Sequence, residues 1–333
     1  VKVTIENSLF DTGEAFEVLD RIIDFFWDGR HTWQVDPALD IKKTLWIQDE
    51  PNSRASRKNL ETYEKHITHQ IYATKQNRCH HTTLYIKSKP KNPEDYTVTQ
   101  ALVYLGEPVY IAVENEENDG KALTAIIQAF GRKELLEAFQ NRWIVFLHLG
   151  GCGEANKRVR QVYERIQQTL GRKPTPYRLI IILDSDRLTL DQDPKNLEKI
   201  NTIKIKYQVG YVFLQKRELE NYIPLSVLGG ISDKEQQFQA FQKLPPGASR
   251  DFYDMKYGFK KKKGQTKLYP LQKELYRDIS QDILDALVSG FGKNVLQNLM
   301  QESNELTEQD FKDTCSSGHQ ELSDILDNME KLF

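Results

Sequence analysis

Five apolar residues in a row, Leu179 to Leu183, run without alternation into Asp184, Ser185 and Asp186. An unbroken apolar run of this length predicts a strand covered on both faces, as in a parallel sheet flanked by helices. VYIAVE (109–114), WIVFLHLGG (143–151) and YQVGYVFL (207–214) have the same character, and helical patterns at 121–130 and 154–170 lie between them. Strand alternating with helix in this way predicts a compact α/β unit with a mainly parallel four-stranded sheet.

The flanking regions are patterned differently. Near the start, KVTIE reads as a strand, and Phe16, Val18, Leu19, Ile22, Ile23, Phe26 and Trp27 recur at the spacing of a buried helical face. A second helix is expected over 56–71, a strand over 82–88, and a proline-bearing connection over 89–93. Beyond Pro224 the signals turn helical, interrupted by LPPGAS and by the basic segment 253–270. The tail, 271–333, predicts three amphipathic helices, including 280–291 and 320–332; without a basic polar face these are packing surfaces rather than membrane surfaces. The expected organisation is a mixed α/β N-terminal domain (1–104), an α/β domain that carries the chemistry (105–227) and a helical C-terminal region (228–333).

Composition narrows the classes. A formal net charge of −2 over 333 residues means that any contact with nucleic acid must come from a local basic patch, not from a general positive field. Cys79, Cys152 and Cys315 are odd in number and far apart, which predicts reduced thiols in a cytoplasmic setting. No apolar run is long enough to span a membrane. Cys79, His80 and His81 have metal-ligand chemistry, but neighbours in a strand point to opposite faces and no second Cys/His cluster is near, so zinc is not expected.

The candidate chemistry lies at strand exits. Ligands of parallel sheets gather beyond the carboxyl ends of the strands, where Asp184 and Asp186 fall. In an extended segment the two would project to one side and converge on an oxygen-seeking cation such as Mg²⁺ or Mn²⁺. Aspartates after a strand are also ordinary turn residues. Glu114 follows the first strand of this unit, and Glu218 and Glu220 follow the last. The latter two share a face if extended, but not in a helix, and Asn221 behind them suits a capped helix start. Gly150 and Gly151 permit a tight turn. The basic segment interleaves Lys256, Lys260, Lys261, Lys262, Lys263 and Lys267 with Tyr253, Tyr257, Phe259 and Tyr269. Such a pattern can neutralise phosphates and stack on unpaired bases, or it is a solvated loop.

The order of Glu114, a Gly-Gly turn, Asp184-Ser185-Asp186 and Glu218/Glu220 resembles the TOPRIM fold of topoisomerases, primases and small nucleases, over about 105–224. LQKRELENYIP and HLGGCGEANKRV are similar to segments of the OLD (overcoming lysogenization defect) nucleases and their stand-alone relatives in antiphage defence. The resemblance implies a Mg²⁺- or Mn²⁺-dependent endonuclease that hydrolyses phosphodiester bonds of DNA or RNA with one or two ions. It implies metal ligation by Glu114, Asp119, Asp184, Asp186, Glu218 and Glu220, with proton transfer as the other role open to Glu114. The family usually has glycine after its first glutamate and an aspartate four residues on. Here Asn115 replaces the glycine and Asp119 lies five residues on, so Asp119, Glu116 and Glu117 compete for the supporting role. A lysine downstream of the acids is implied to steady transition-state charge, and Lys261 is the candidate. No G-x-x-x-x-G-K-[ST] motif occurs, so an ATPase or other sensor of a defence system would be a separate partner. Self-association into a homo-oligomer is compatible with this reading. The alternative is a catalytically degenerate TOPRIM subunit that binds nucleic acid or recruits partners.

Overall fold

The computed structural model describes residues 1–35, 39–48, 60–61, 63–65, 82–151, 153–262 and 265–332. It is an α/β structure with two four-stranded sheets, each parallel throughout. The first sheet contains β1 (Lys2–Ile5), β2 (Thr32–Gln34), β3 (Thr83–Ile86) and β4 (Asp95–Tyr96) in the order β2-β1-β3-β4. The second contains β5 (Val109–Val113), β6 (Ile144–His148), β7 (Leu179–Leu183) and β8 (Gly210–Phe213) in the order β6-β5-β7-β8. Both therefore start at an inner strand, step to one edge, and return past the first strand to build the other side. The strands expected at KVTIE and over 82–88 are β1 and β3, but the first sheet as a whole was not legible, because β2 and β4 are only three and two residues long.

The unbroken apolar runs have the expected cause: every residue of β5 and of β7 is buried, whereas β6 and β8 lie at the edges and are partly exposed. Alternation decides which core each residue enters. Val109, Ile111, Val113, Ile180 and Ile182 pack with the C-terminal helices, while Tyr110, Ala112, Leu179, Ile181 and Leu183 pack with the N-terminal sheet. Two cores thus meet at the second sheet, and each continues across a boundary that composition suggested at 104 or 227. The crossover helices respect the same division. Lys121–Ala129 covers the C-terminal side, and Ala155–Leu170 and Leu197–Tyr207 cover the other.

The flanks hold several expectations and shorten others. The apolar face at 16–27 is the helix Phe16–Trp27, with Leu19, Ile22 and Ile23 fully buried. Most of the helix expected over 56–71 lies outside the described residues, as do Cys79, His80, His81 and Cys152. In the tail the element expected over 280–291 is only Gln281–Ala286, and beyond it Gly290 and Gly292 take positive φ and turn the chain. The helices Val295–Glu302, Glu308–Thr314 and Ser316–Leu332 follow. Among the described residues no helix is long and apolar enough to cross a membrane.

The basic segment is not a featureless loop. It forms an antiparallel hairpin of β9 (Lys260–Lys262) and β10 (Gln265–Lys267), preceded by a tight crossing of two glycines. A Cβ on Gly258 would lie 2.1 Å from the Leu287 carbonyl oxygen, and one on Gly290 would lie 2.8 Å from that of Lys256. Both positions need glycine for space as well as for positive φ. The crossing is tied by Phe291 N–H to Met255 O (2.7 Å), Gly292 N–H to Lys256 O (3.1 Å) and Phe259 N–H to Leu287 O (3.2 Å).

Candidate metal centre

The strand order reverses between β5 and β7, which opens a crevice beyond their carboxyl ends. Asp184 leaves β7 there. Continuing the alternation of Ile180 and Ile182, it projects to the C-terminal side of the sheet. Its Oδ1 accepts the Leu219 N–H at 2.9 Å, which ties the exit of β7 to the segment that follows β8.

That segment explains how Glu218 and Glu220 come to share a site. Glu218 has extended backbone and precedes a single 3₁₀ turn, Leu219–Tyr222. Asn221 closes the turn by accepting the Glu218 N–H (3.1 Å) and anchors it by donating to the carbonyls of Arg250 (2.9 Å) and Tyr253 (3.0 Å). The capped start and the convergent acids are therefore both present: the cap supports the site. Glu218 Oε1 accepts the Met255 N–H at 2.8 Å. Asp184, Glu218 and Glu220 each bring a carboxylate oxygen to within 4.8 Å of the other two.

Lys256 completes the cluster. Its Nζ lies 2.9 Å from Glu220 Oε1 and 3.4 Å from Glu218 Oε2. Glu220 is 1 % exposed, and its second oxygen, Oε2, has no hydrogen-bonding partner. A buried carboxylate oxygen left unpaired is costly unless a proton or a cation meets it. Burial, then the charge of Glu220, pushes Asp184 well above the usual carboxylate range. The same two causes push Glu218 up to about 7. Burial lowers an ammonium, but here Glu218, Glu220 and Asp184 outweigh it and hold Lys256 above its ordinary value. Asp184 and Glu218 are thereby held toward their protonated forms, and full ionisation of the triad calls for a cation beyond the one lysine.

The remaining sequence candidates are placed as follows. Asp119 lies at the rim, half-buried, its Oδ2 accepting the Asn115 N–H at 2.9 Å. Burial, with a contribution from Glu220, raises it to about 6. Glu116 and Glu117 are exposed, and Glu117 pairs with Lys121, so of the three competing acids Asp119 is the one that senses the cluster. Glu114 is exposed beyond β5, and a Cβ on Gly151 would lie 3.7 Å from its Oε1. Alternation along β5 assigns Glu114 to the opposite face from Asp184. Asp186 stands apart. It adopts φ of 54°, its N–H is donated to Arg217 O (3.0 Å), and its exposed carboxylate pairs with Lys195 at 3.2 Å. The expectation that Asp184 and Asp186 share one side assumed an extended segment, and the left-handed turn at Asp186 removes it.

The basic segment divides in the same way. Tyr253 and Phe259 are core residues, whereas Tyr257 and Tyr269 are exposed. Lys260 and Lys267 are exposed, and Lys260 Nζ lies 4.9 Å from the Tyr269 ring centre. Lys261 and Lys262 lie in β9 by their backbone, and Lys263 is outside the described residues. The lysine that reaches the acids is Lys256, which its lysine-rich context gave no reason to separate from the rest. Lys293 was also not singled out, and it sits 5.7 Å from the Tyr257 ring centre.

Three carboxylates without histidine or cysteine form an all-oxygen donor set able to hold a metal ion. The orphaned, buried Glu220 oxygen shows that a cation fits the residues present. Compared with protein-family models, with curated proteins and with solved structures, the chain matches none.

Proposed function

We propose that this chain is a TOPRIM-type nuclease that hydrolyses phosphodiester bonds of DNA or RNA with Mg²⁺ or Mn²⁺. The observation that carries the reading is a buried acidic triad with an unpartnered Glu220 oxygen, set at the point where the strand order reverses. A bound divalent ion supplies cancellation of phosphate charge and a more acidic water. Asp184, Glu218 and Glu220 hold it. Asp119, at the rim and coupled to the cluster, is the acid outside the triad that would move a proton; Glu114, on the opposite face of the sheet, is left the supporting role. Tyr257 and Tyr269, with Lys260, Lys267 and Lys293, give a strand of nucleic acid stacking faces and phosphate partners.

A place in antiphage defence, with a separate ATPase or sensor, follows from the likeness to OLD nucleases and belongs to the same proposal. The test is cleavage of supercoiled plasmid, linear DNA and a tRNA mixture with Mg²⁺, Mn²⁺ or EDTA, comparing the intact protein with Asp184→Asn. Metal-dependent cleavage that the variant loses supports the reading, and cleavage unchanged in the variant defeats it.

One observation favours the second reading, a degenerate subunit that binds without cutting. Lys256 already bridges two of the acids, and Asp186 is engaged by Lys195. In that case the triad binds no divalent ion at millimolar concentration, which calorimetry decides without reference to any substrate.

A further inference from the structure

We infer that the centre takes one divalent ion per chain, because the ammonium of Lys256 is a built-in second cation. The inference rests on the metal-centre reading above and concerns how many ions the site holds. Lys256 Nζ engages one oxygen of Glu220 and one of Glu218, at 2.9 and 3.4 Å. The other oxygen of Glu218 is occupied by the Met255 N–H, and Asp184 Oδ1 by the Leu219 N–H. What remain open are Glu220 Oε2, which is buried and has no partner, and Asp184 Oδ2. When ionised, three carboxylates against one ammonium leave a net charge of −2, which a single divalent ion cancels and a second would overshoot.

Two further features keep the arrangement as it is. The main chain at Lys256 is anchored on both sides of the glycine crossing, through Met255 O to Phe291 N–H and Lys256 O to Gly292 N–H, at 2.7 and 3.1 Å. No Cβ fits at Gly258 or Gly290 to loosen it. These contacts hold the backbone at Lys256 beside the acids, so any withdrawal of the ammonium falls to its side chain. The acid best placed in sequence to complete a second ion site, Asp186, is turned out by its positive φ and paired with Lys195.

The experiment is titration of the full chain with Mn²⁺ by calorimetry, read alongside electron paramagnetic resonance, in which an isolated Mn²⁺ and a spin-coupled pair give distinct spectra. The intact protein should bind one ion, with the spectrum of an isolated centre. Lys256→Met, which removes the charge and keeps most of the length, should admit a second ion and tighten the first roughly tenfold or more. Lys256→Arg should stay at one. Two ions in the intact protein would overturn the inference and leave the metal centre standing. So would a Lys256→Met protein that binds one ion with unchanged affinity. No ion in either protein would remove the metal centre itself. Should Lys256→Met fail to fold, the count in the intact protein still decides.

Discussion

The two sheets of this protein share a strand order and a direction, yet their carboxyl ends differ in chemistry. In the first sheet Glu6 leaves β1 and accepts the Ser88 N–H (2.8 Å) and the Ser8 hydroxyl (2.7 Å). Asp95 is fully buried, but its Oδ1 lies 2.9 Å from Lys87 Nζ and its Oδ2 accepts the N–H groups of Lys91 and Asn92, each at 3.0 Å. Those partners hold Glu6 below the usual carboxylate range, and they do the same for Asp95 against the opposing effect of its burial. In the second sheet Asp184 and Glu218 are held above it. Burial alone does not mark a site. A buried acid whose oxygens are all met is structural, and a buried cluster with one oxygen unmet is prepared for a ligand.

The sharpest way to break the comparison is to neutralise an acid of the second sheet. Glu220→Gln or Asp184→Asn should reduce metal-dependent cleavage roughly a thousandfold or more, since several kcal/mol of charge stabilisation depend on the ion. Single-turnover rates at saturating Mn²⁺ provide the check, and a loss under tenfold would place the chemistry elsewhere. Next in size is Lys256→Met, which leaves the triad without its internal cation. The ion-free variant should lose roughly 2–4 kcal/mol in urea unfolding, with most of the loss restored by Mn²⁺. A variant as stable as the parent without metal would show that the acids are not charged in the resting protein.

The pH response should differ in sign between the two sheets. An acid with a higher pKa in the folded than in the unfolded chain binds protons more tightly when folded. The second sheet's cluster therefore costs the ion-free protein nothing below about pH 4 and up to roughly 3 kcal/mol for Glu218 as pH rises through about 7. Glu6 and Asp95, held low, contribute stability above about pH 4 that is lost as pH falls through their folded values. A Mn²⁺-induced rise in Tm that grows between pH 5 and 8 fits this account, and one that stays flat does not. Asp95→Asn should cost about 2 kcal/mol without changing Mn²⁺ affinity, as expected of a structural acid. The smallest effect belongs to Asp186→Asn, which should leave Mn²⁺ affinity within about threefold because Asp186 is outside the triad.

Much of this could be read from local pattern. The second sheet announced itself because β5 and β7 are covered on both faces, and such strands write themselves as unbroken apolar runs. The first sheet did so only in part: β1 and β3 registered as strands, but β2 and β4, three and two residues long, are too short for any period. Acids at strand exits drew attention to Asp184, Glu218 and Glu220, whereas the left-handed turn at Asp186 had no local signal, since its residue type suits a turn and a ligand equally.

What the sequence determined by itself is the set of acids and the strands that deliver them, because alternation and burial are local consequences of residue order. Only the tertiary structure decided which acids meet. Asp184, Glu218 and Lys256 are separated by more than thirty residues at each step and are joined by hydrogen bonds that include Leu219 N–H to Asp184 and Met255 N–H to Glu218. The crossing of Gly258 with Gly290 then sets Lys256 against the acids, a contact between segments that no pattern along the chain records. Local order chooses which side chains are available, and long-range packing chooses which of them meet and which oxygen is left unpartnered.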